Sequence, residues 1–244
     1  LCLVGSEMCI RDSYYALHHV AKIQAGERIL IHAGAGGTGM AAVKIAQQVG
    51  AEVLATASPP KWEALRNLGV KHIMNSRTLE FADQVMEITQ GQGVDIVLNS
   101  LTSGEFISKS MSVVTQGGRF VEIAKRGVWS SSQVAAVRPD VCYFVVDLVK
   151  ESIEQPELIN SMLVGLKEKF GNGLLQPPPI KVFPIEEVID AFRYMQQAKH
   201  IGKIVVTQTQ LADGETQKPL SFRSEASYLI TGGMGGLGLL VANW

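Results

Sequence analysis

Short apolar runs alternate with stretches of helical spacing between residues 14 and 150. Bounded by turn residues, these runs predict six β-strands, at residues 27–33, 52–57, 71–75, 94–98, 118–124 and 141–146. Strands this apolar, separated by helices, are typical of a parallel sheet that is covered on both faces. The pattern therefore predicts an α/β fold, a Rossmann-type doubly wound parallel sheet with helices on both faces, over residues 14–150.

The pattern changes after residue 150. An amphipathic helix is predicted at 156–170, because Pro156 suits a first helical position and Gly171 suits the position beyond the end. Three prolines at 177–179 impose an extended stretch, and strands follow at 180–183 and 203–207 with a helix between them. We expect residues 151–207 to pack against a second domain rather than to extend the sheet.

Three segments lie outside this regular pattern. Residues 1–13 match neither strand alternation nor helical periodicity, and we interpret them as an artefactual or irregular tail without weight for the fold. Residues 208–226 are polar and predict a linker. Residues 227–244 repeat the arrangement of strand, glycine turn and helix but stop early, so we expect the chain to be a fragment of a larger protein.

The first predicted strand runs into a glycine-rich turn and then into a helix of small and apolar residues. In this context Gly34 allows the turn, Gly36 lets a pyrophosphate approach the backbone, and Gly39 lets helix and strand pack closely. Gly37 and Thr38 lie between these glycines, and the unsatisfied N–H groups at the start of the helix that opens at Met40 bind the phosphates. We therefore predict dinucleotide binding, and the alternative is an ordinary glycine-rich turn.

The end of the second predicted strand indicates which nucleotide is bound. Sheets that bind NAD usually carry Asp or Glu there, for the ribose 2′-hydroxyl, whereas this chain has Ser58 followed by Lys61. Together with Arg77 after the third strand, these residues supply the donors and cations that a 2′-phosphate requires. NADPH is the predicted cofactor, although Lys61 and Arg77 could instead be solvated surface charges.

Composition excludes several classes of function. The chain has 22 Lys and Arg against 23 Asp and Glu, a net charge of −1, and therefore no field that would gather nucleic acid or a membrane. It has no apolar run of the roughly 20 residues that span a bilayer. Its three cysteines have no zinc-site spacing, so we predict no metal and a reducing, cytoplasmic location.

Several motifs in order resemble those of one enzyme family; they are Tyr14 to Leu17, Gly26 to His32, Ala35 to Gly39, Ala55 to Ser58, Val97 to Leu101, Gly117 to Ile123 and Gly202 to Val205. Together they resemble the enoylreductase domain of modular polyketide synthases and animal-type fatty acid synthases. These domains belong to the zinc-free, quinone-oxidoreductase-like branch of the medium-chain dehydrogenase/reductase superfamily. Residues 151–207 would then be the C-terminal part of an incomplete GroES-like substrate domain, and residues 227–244 resemble the start of a ketoreductase domain.

This resemblance implies a reaction and candidate residues. Hydride would pass from NADPH to the β-carbon of a trans-2-enoyl thioester, followed by protonation of the α-carbon. The matching Lys125 and Asp147 are candidates for proton delivery, although Ala124 stands where the family more often has Gly; the alternative is an ion pair without a catalytic role. Asn99 and Ser100 are expected to contact the nicotinamide ribose. The implied partners are an acyl carrier protein with a phosphopantetheine-linked enoyl chain, and neighbouring ketoreductase and dehydratase domains.

Two further expectations follow from the resemblance. Most of a family member's substrate domain precedes the nucleotide sheet, so we expect the chain alone to bind NADPH weakly and to turn over poorly. Two alternatives stay open, a free-standing NADPH-dependent quinone or alkenal oxidoreductase and a non-catalytic NADPH-binding protein similar to ζ-crystallin.

Overall fold

The computed structural model of the chain describes residues 7–197 and 199–207. Its strands are β1 (Arg28–Ile31), β2 (Glu52–Ala57), β3 (His72–Asn75), β4 (Val94–Asn99), β5 (Val114–Glu122), β6 (Cys142–Val145), β7 (Ile180–Pro184) and β8 (Lys203–Thr207). Its α-helices are α1 (Glu7–Tyr14), α2 (Gly37–Val49), α3 (Trp62–Asn67), α4 (Phe81–Ile88), α5 (Phe106–Ser112), α6 (Ser131–Val137), α7 (Leu148–Glu154), α8 (Pro156–Gly171) and α9 (Val188–Gln196). Tyr15–Val20 forms a π-helical stretch that continues α1.

The first six strands form one parallel sheet in the order β3-β2-β1-β4-β5-β6. This confirms the predicted doubly wound α/β fold. The strand order reverses between β1 and β4, and ligands of such sheets bind in the crevice at the carboxyl ends of the strands at that point. The ends of β1, β2, β3 and β4 therefore define where a site is expected.

Buried side chains form one apolar layer on each face of the sheet. Successive residues of a strand point to opposite faces, so Ile29 and Ile31 of β1 join one layer and Leu30 joins the other. Helices α1, α2 and α8 contribute to the first layer, and α4, α5 and α6 contribute to the second. With both faces covered, the strands are apolar along their length.

Strands β7 and β8 form a separate two-stranded parallel sheet. The strands predicted at 180–183 and 203–207 therefore do not extend the main sheet, whereas α8 packs on it through Ile159, Met162 and Leu166. Gly202 leads into β8 with φ +71°, and a Cβ there would overlap the Pro179 carbonyl, so only glycine fits this approach. Several large apolar side chains of this region are exposed, among them those of Ile180, Ile189 and Phe192.

Three helices differ from the sequence prediction. Residues 7–13 are not irregular, because they form most of α1, whose Ile10 and Ser13 are buried. The Ser13 hydroxyl donates to the Thr38 carbonyl at 2.8 Å, so α1 is held by tertiary contacts that periodicity does not reveal. Helices α6 and α7 were not predicted either; α6 begins with the Ser130–Gln133 capping box and buries little.

Strand β6 is less buried than its apolar sequence indicates. It is one of the two edge strands of the sheet, and Phe144 and Val145 are 38% and 49% exposed. The linker predicted at 208–226 and the second glycine turn at 227–244 lie outside the described residues. In the described part of the chain, no helix is long and apolar enough to cross a membrane.

Candidate nucleotide site and strand-end ion pair

The glycine turn after β1 is shaped by close backbone packing. Ala33, rather than Gly34, takes the left-handed conformation, with φ +50°. Gly34 is needed for space, since a Cβ there would lie 3.0 Å from the Ala55 Cβ. At Gly39 a Cβ would meet the Ala33 carbonyl oxygen and lie 2.6 Å from the Gly34 Cα. Gly39 thus allows the close contact between helix and turn that the motif predicted.

Helix α2 begins directly at this turn. Gly36 is its N-cap, and Gly37 and Thr38 form its first turn, whose N–H groups have no partners within the helix. The helix ends at Gly50, which has φ +88° in the left-handed cap conformation. A helix of 13 residues directs the positive end of its dipole at the turn, which favours an anion there.

A buried histidine next to the turn forms hydrogen bonds that connect it to β2 and α5. His32 contacts the Thr56 hydroxyl at 3.0 Å through Nδ1 and the Ser110 hydroxyl at 2.8 Å through Nε2. Burial lowers the pKa of His32 to about 3, so the ring is neutral and serves the structure. The same Thr56 hydroxyl accepts from the Ala33 N–H at 3.3 Å, which holds the left-handed residue in place.

The structure brings four of the predicted nucleotide residues into one cleft. A cleft of about 310 Å³ lies at the carboxyl ends of β1, β2 and β3, and Gly36, Ser58, Lys61 and Arg77 line it. Leu101, which follows β4, lines it as well. The cleft lies at the point where the strand order reverses, so residues that are far apart in sequence meet where a dinucleotide is expected.

The cleft is electropositive. Burial lowers the pKa of Lys61, and the nearby Arg77 lowers it further. His200 lies close to the same group, since its pKa is lowered by burial and then by the charges of Lys61 and Lys203. The His200 Nδ1 is buried and has no hydrogen-bond partner among the described residues. Basic side chains gathered in this way, together with a ring nitrogen that lacks a hydrogen-bond partner among the described residues, suit an anionic ligand.

Lys203 is a site residue that the sequence analysis missed. A Cβ on Gly37 would lie 3.3 Å from the Lys203 Nζ, so this ammonium group lies at the first turn of α2. The same Nζ is 3.0 Å from the Cys9 Sγ. In the sequence, Lys203 stood out only as part of the motif Gly202 to Val205. Nothing in that motif predicts that residue 203 lies beside a turn near residue 37.

Asn99 and Ser100 lie at the end of β4, but Asn99 is not exposed to a ligand. Its side chain is fully buried and donates to the Glu122 carboxylate at 2.6 Å and to the Leu101 carbonyl at 3.1 Å. Asn99 therefore positions the loop instead of presenting its amide to the cleft, which differs from the expected ribose contact. Ser100 is half-buried, with its hydroxyl 3.5 Å from the His32 carbonyl.

Lys125 and Asp147 meet at the carboxyl ends of β5 and β6. The Lys125 Nζ lies 3.4 Å from the Asp147 Oδ1 and 3.3 Å from the Val146 carbonyl oxygen. Both side chains are exposed, at 63% and 53%. Asp147 also caps α7, and the hydrogen bond from the Lys150 backbone N–H is the main cause that lowers its pKa, with Lys125 adding to it. The pair is open to a substrate.

Comparison with known proteins places this geometry in a family. The sequence profile of the family described as zinc-binding dehydrogenase matches residues 68–206. A phenolphthiocerol/phthiocerol polyketide synthase of Mycobacterium tuberculosis is 40% identical over 239 residues, which cover 95% of this chain and 11% of that protein. The crystal structure of CurK enoyl reductase is 55% identical with a TM-score of 0.78, over 83% of this chain and 60% of that chain.

A solved structure of one part of such a domain settles the assignment. The nucleotide-binding subdomain of the enoylreductase domain of PpsC from Mycobacterium tuberculosis is 38% identical with a TM-score of 0.65, and the match covers 70% of this chain and 97% of that one. The chain belongs to the enoylreductase domains of polyketide synthases. This confirms the predicted family, and an oxidoreductase with a nicotinamide cofactor follows from it.

The family profile's description raises the question of zinc. In residues 7–197 and 199–207 of this enoylreductase, no group of three His, Cys, Asp or Glu side chains is arranged to hold a metal ion. The described residues therefore do not fit a zinc centre.

Proposed function

We propose that this enoylreductase binds NADPH and reduces the double bond of a trans-2-enoyl thioester. The observation that carries the choice of NADPH is the convergence of Lys61, Arg77, His200 and Lys203 beside the glycine turn. A 2′-phosphate and a pyrophosphate together need several cationic donors, whereas the 2′-hydroxyl of NADH would leave the basic cluster uncompensated.

Titration calorimetry tests this choice directly. We expect NADPH to bind at least about tenfold more tightly than NADH, because one charge-assisted hydrogen bond in the cleft contributes roughly 1.5 to 3 kcal/mol. Equal affinities would contradict the assignment of Lys61 and Arg77 to the 2′-phosphate.

The residues of the nucleotide site fit the chemistry of the cofactor. The first turn of α2 and Lys203 would hold the pyrophosphate, and Ser58, Lys61 and Arg77 would hold the adenosine phosphate. The bound cofactor supplies a hydride to the β-carbon of the substrate. Lys125 is the proton source, because its ammonium group is exposed at the strand ends, and the carboxylate of Asp147 orients it.

Replacement of Lys125 tests the reaction. We expect Lys125→Ala to lower turnover of crotonyl thioester roughly 100-fold, which is typical of a lost general acid, while NADPH affinity stays within about twofold. Turnover is measured in a chimera in which residues 14–207 replace the matching part of a solved relative. Lys150→Ala is the control, since Lys150 is also exposed and forms a comparable ion pair with Glu154 at 3.8 Å.

The same experiment separates the alternatives. Unchanged turnover in Lys125→Ala would remove Lys125 from the mechanism. Reduction of quinones but not of enoyl thioesters would favour a quinone or alkenal oxidoreductase. NADPH binding without any turnover in the chimera would favour a non-catalytic protein similar to ζ-crystallin.

His200 predicts a pH dependence of NADPH binding. Its pKa is lowered by burial and by two lysines, whereas a nearby phosphate would favour the imidazolium and raise that pKa. Binding then takes up a proton, so this contribution to NADPH affinity is present at low pH and is lost as the pH rises through the pKa of the bound state. We expect about a threefold to tenfold weakening of NADPH between pH 6 and pH 8, measured by calorimetry.

Two comparisons isolate the histidine. NADH lacks the 2′-phosphate, so its affinity should change little over the same range. His200→Asn should remove the weakening of NADPH binding at high pH. The remaining pH dependence then comes from the 2′-phosphate itself, whose dianion binds more tightly, so NADPH affinity should rise slightly with pH. The same pH profile in the variant and in the wild type would show that His200 is not involved.

The proposed substrate arrives on an acyl carrier protein, and ketoreductase and dehydratase domains are the proposed neighbours. The relatives support this proposal because they are polyketide synthases of which this chain matches a small part. The exposed apolar side chains of β7 and α9, including Val182 and Phe192, need a covering surface. A substrate domain packed there would supply it.

A further inference from the structure

We propose that His32 is a positioning residue of the nucleotide site and that it acts as the tautomer with its proton on Nε2. In this form the ring accepts the proton of the Thr56 hydroxyl, so the hydroxyl oxygen faces the Ala33 N–H and fixes the glycine turn before a nucleotide binds. The inference deepens the proposed function and rests on it, because it assumes that the diphosphate of a nicotinamide nucleotide binds at this turn.

Ala33 is the residue of the turn that needs support from outside. Its φ of +50° lies in the left-handed region, which a residue with a Cβ adopts only where its surroundings impose it. Thr56 gives that support, because its hydroxyl accepts from the Ala33 N–H at 3.3 Å and its carbonyl accepts from the Gly34 N–H at 2.8 Å. One residue near the end of β2 thus holds two successive N–H groups of the turn.

The orientation of Ala33 decides where the phosphate-binding helix begins. Its carbonyl oxygen accepts at 2.9 Å from the N–H of Gly36, which is the N-cap of α2. Ala33 and Gly36 also line the cleft. A change in the peptide planes around Ala33 would therefore move the start of α2, whose N–H groups are the proposed contacts of the diphosphate.

The Thr56 hydroxyl can hold Ala33 only if its own proton points elsewhere. Thr56 is fully buried, and in the described ranges the only other hydrogen-bond partner of its hydroxyl is the His32 Nδ1, at 3.0 Å. An imidazole nitrogen accepts only when it carries no proton. The proton of the neutral ring then lies on Nε2, which donates to the Ser110 hydroxyl at 2.8 Å.

The opposite tautomer would leave a proton without an acceptor. With its proton on Nδ1, the ring would donate to Thr56, and the buried hydroxyl proton of that strand residue would lose its hydrogen bond. Ser110 is placed differently, because it lies in α5 and a helical serine can donate to a carbonyl of the preceding turn. The two hydroxyls on either side of the ring therefore favour the proton on Nε2.

The surroundings of the ring keep it in this state. Phe81 packs edge-to-face on His32, with 4.9 Å between the ring centroids and 86° between the planes, which fixes the orientation of the imidazole. Burial lowers the pKa of His32 to about 3, so one ring nitrogen stays free to accept at neutral pH. His32 itself is buried, so it acts on a nucleotide only through Thr56 and the turn.

Two substitutions separate this role from packing. Asn places an amide oxygen near the position of the His32 Nδ1 and can still accept from Thr56, whereas Gln places its amide near the Nε2 position and reaches only Ser110. We expect His32→Gln to weaken NADPH and NADH each about threefold to tenfold, because fewer molecules hold the formed turn. We expect His32→Asn to bind both nucleotides within about twofold of the wild type. Titration calorimetry on the whole chain measures these affinities.

The order of the two variants is decisive. A residue that only fills space would be replaced worse by Asn, since the smaller side chain leaves the larger cavity. Weaker binding by His32→Asn than by His32→Gln, or equal losses in both, would overturn the inference. A loss confined to NADPH would overturn it too, because the diphosphate is common to both nucleotides.

Substitutions of Thr56 test the same hydrogen bond from its other side. Thr56→Val should weaken both nucleotides about threefold to tenfold, and Thr56→Ser, which keeps the hydroxyl, should stay within about twofold of the wild type. Thr89→Val is the matched control, since the buried Thr89 hydroxyl accepts from the Gly93 N–H at 2.9 Å but lies between α4 and β4, at the amino ends of the strands. It should lower the melting temperature and leave both affinities unchanged. Equal losses in Thr89→Val and Thr56→Val would overturn the inference, because affinity would then follow global stability.

Nitrogen-15 NMR of the wild-type chain identifies the tautomer without a nucleotide and without a folded variant. Protonated and unprotonated imidazole nitrogens differ in chemical shift, and we expect a protonated Nε2 and an unprotonated Nδ1 for His32 between about pH 6 and pH 8. A proton on Nδ1 would overturn the inference. Failure of the proposed function gives a different result, in which His32 has the expected tautomer but the wild type binds no nicotinamide nucleotide; the role of His32 in binding then fails with it.

Discussion

The Gly39→Ala variant is expected to lose NADPH binding almost completely and to be destabilised by about 3 kcal/mol. A Cβ at this position would overlap the Ala33 carbonyl oxygen and lie 2.6 Å and 2.8 Å from the Gly34 Cα and carbonyl carbon. All three atoms belong to the backbone of the turn, so no side chain can move aside. Relief of the overlap must push α2 away from the turn, and its first N–H groups then leave the phosphates.

Nucleotide affinity and thermal unfolding together measure this effect. Gly165→Ala is the matched control, because Gly165 lies inside α8 and a Cβ there would meet nothing within 4 Å. That variant should be stabilised by about 1 kcal/mol through helix propensity and should bind NADPH as the wild type does. Wild-type binding in Gly39→Ala would show that the contact between turn and helix does not hold the phosphates.

The double variant Lys61→Ala/Arg77→Ala is expected to weaken NADPH roughly 100-fold and NADH by about twofold at most, because it removes the two cations that we propose as partners of the 2′-phosphate alone. The selectivity between the two nucleotides should disappear. Both residues line the cleft beside Ser58, and the Arg77 charge lowers the pKa of Lys61, which shows that the two groups are neighbours. Calorimetric titration with each nucleotide measures the change.

The effect should not come from net charge alone. Lys71→Ala/Lys167→Ala removes two positive charges from exposed positions away from the cleft and should leave both affinities unchanged within about twofold. An equal loss in this control would mean that the general field of the protein attracts the nucleotide. An equal loss of NADH in the Lys61/Arg77 variant would mean that these residues hold a group common to both nucleotides.

These experiments divide the site into parts with separate readouts. Gly39 reports on the pyrophosphate, Lys61 and Arg77 on the 2′-phosphate, and Lys125 on proton delivery. A failure in one part leaves the others open to measurement.

Local patterns were sufficient for most of the strands and for the glycine turn. An apolar strand and a helix of small residues can be recognised from the local sequence alone, because the pattern of each depends on residues within a few positions. Strand β2 occupies the predicted residues 52–57. The polar residues of the cleft were also predictable, because Ser58, Lys61 and Arg77 follow strands whose carboxyl ends meet at one edge.

Helices that are held by distant contacts could not be predicted in this way. Helix α1 has no clear periodicity, and it forms because Ile10 and Ser13 are buried, with the Ser13 hydroxyl bound to the Thr38 carbonyl. The exposure of Phe144 was equally hidden, because an apolar strand has the same sequence whether it lies at the centre of a sheet or at its edge. The formation of α1 and the exposure of Phe144 both depend on packing neighbours that are remote in sequence.

The sequence by itself determined the α/β fold, the glycine turn, the residues of the basic cleft and the pairing of Lys125 with Asp147, because each is encoded at or next to a strand end. Only the tertiary structure showed that Lys203 lies at the glycine turn, that His200 lies near Lys61 and Lys203, and that Asn99 faces Glu122 instead of the cleft. Those contacts join segments that are separated by many residues, and their partners are set by the packing of the sheet and not by local pattern.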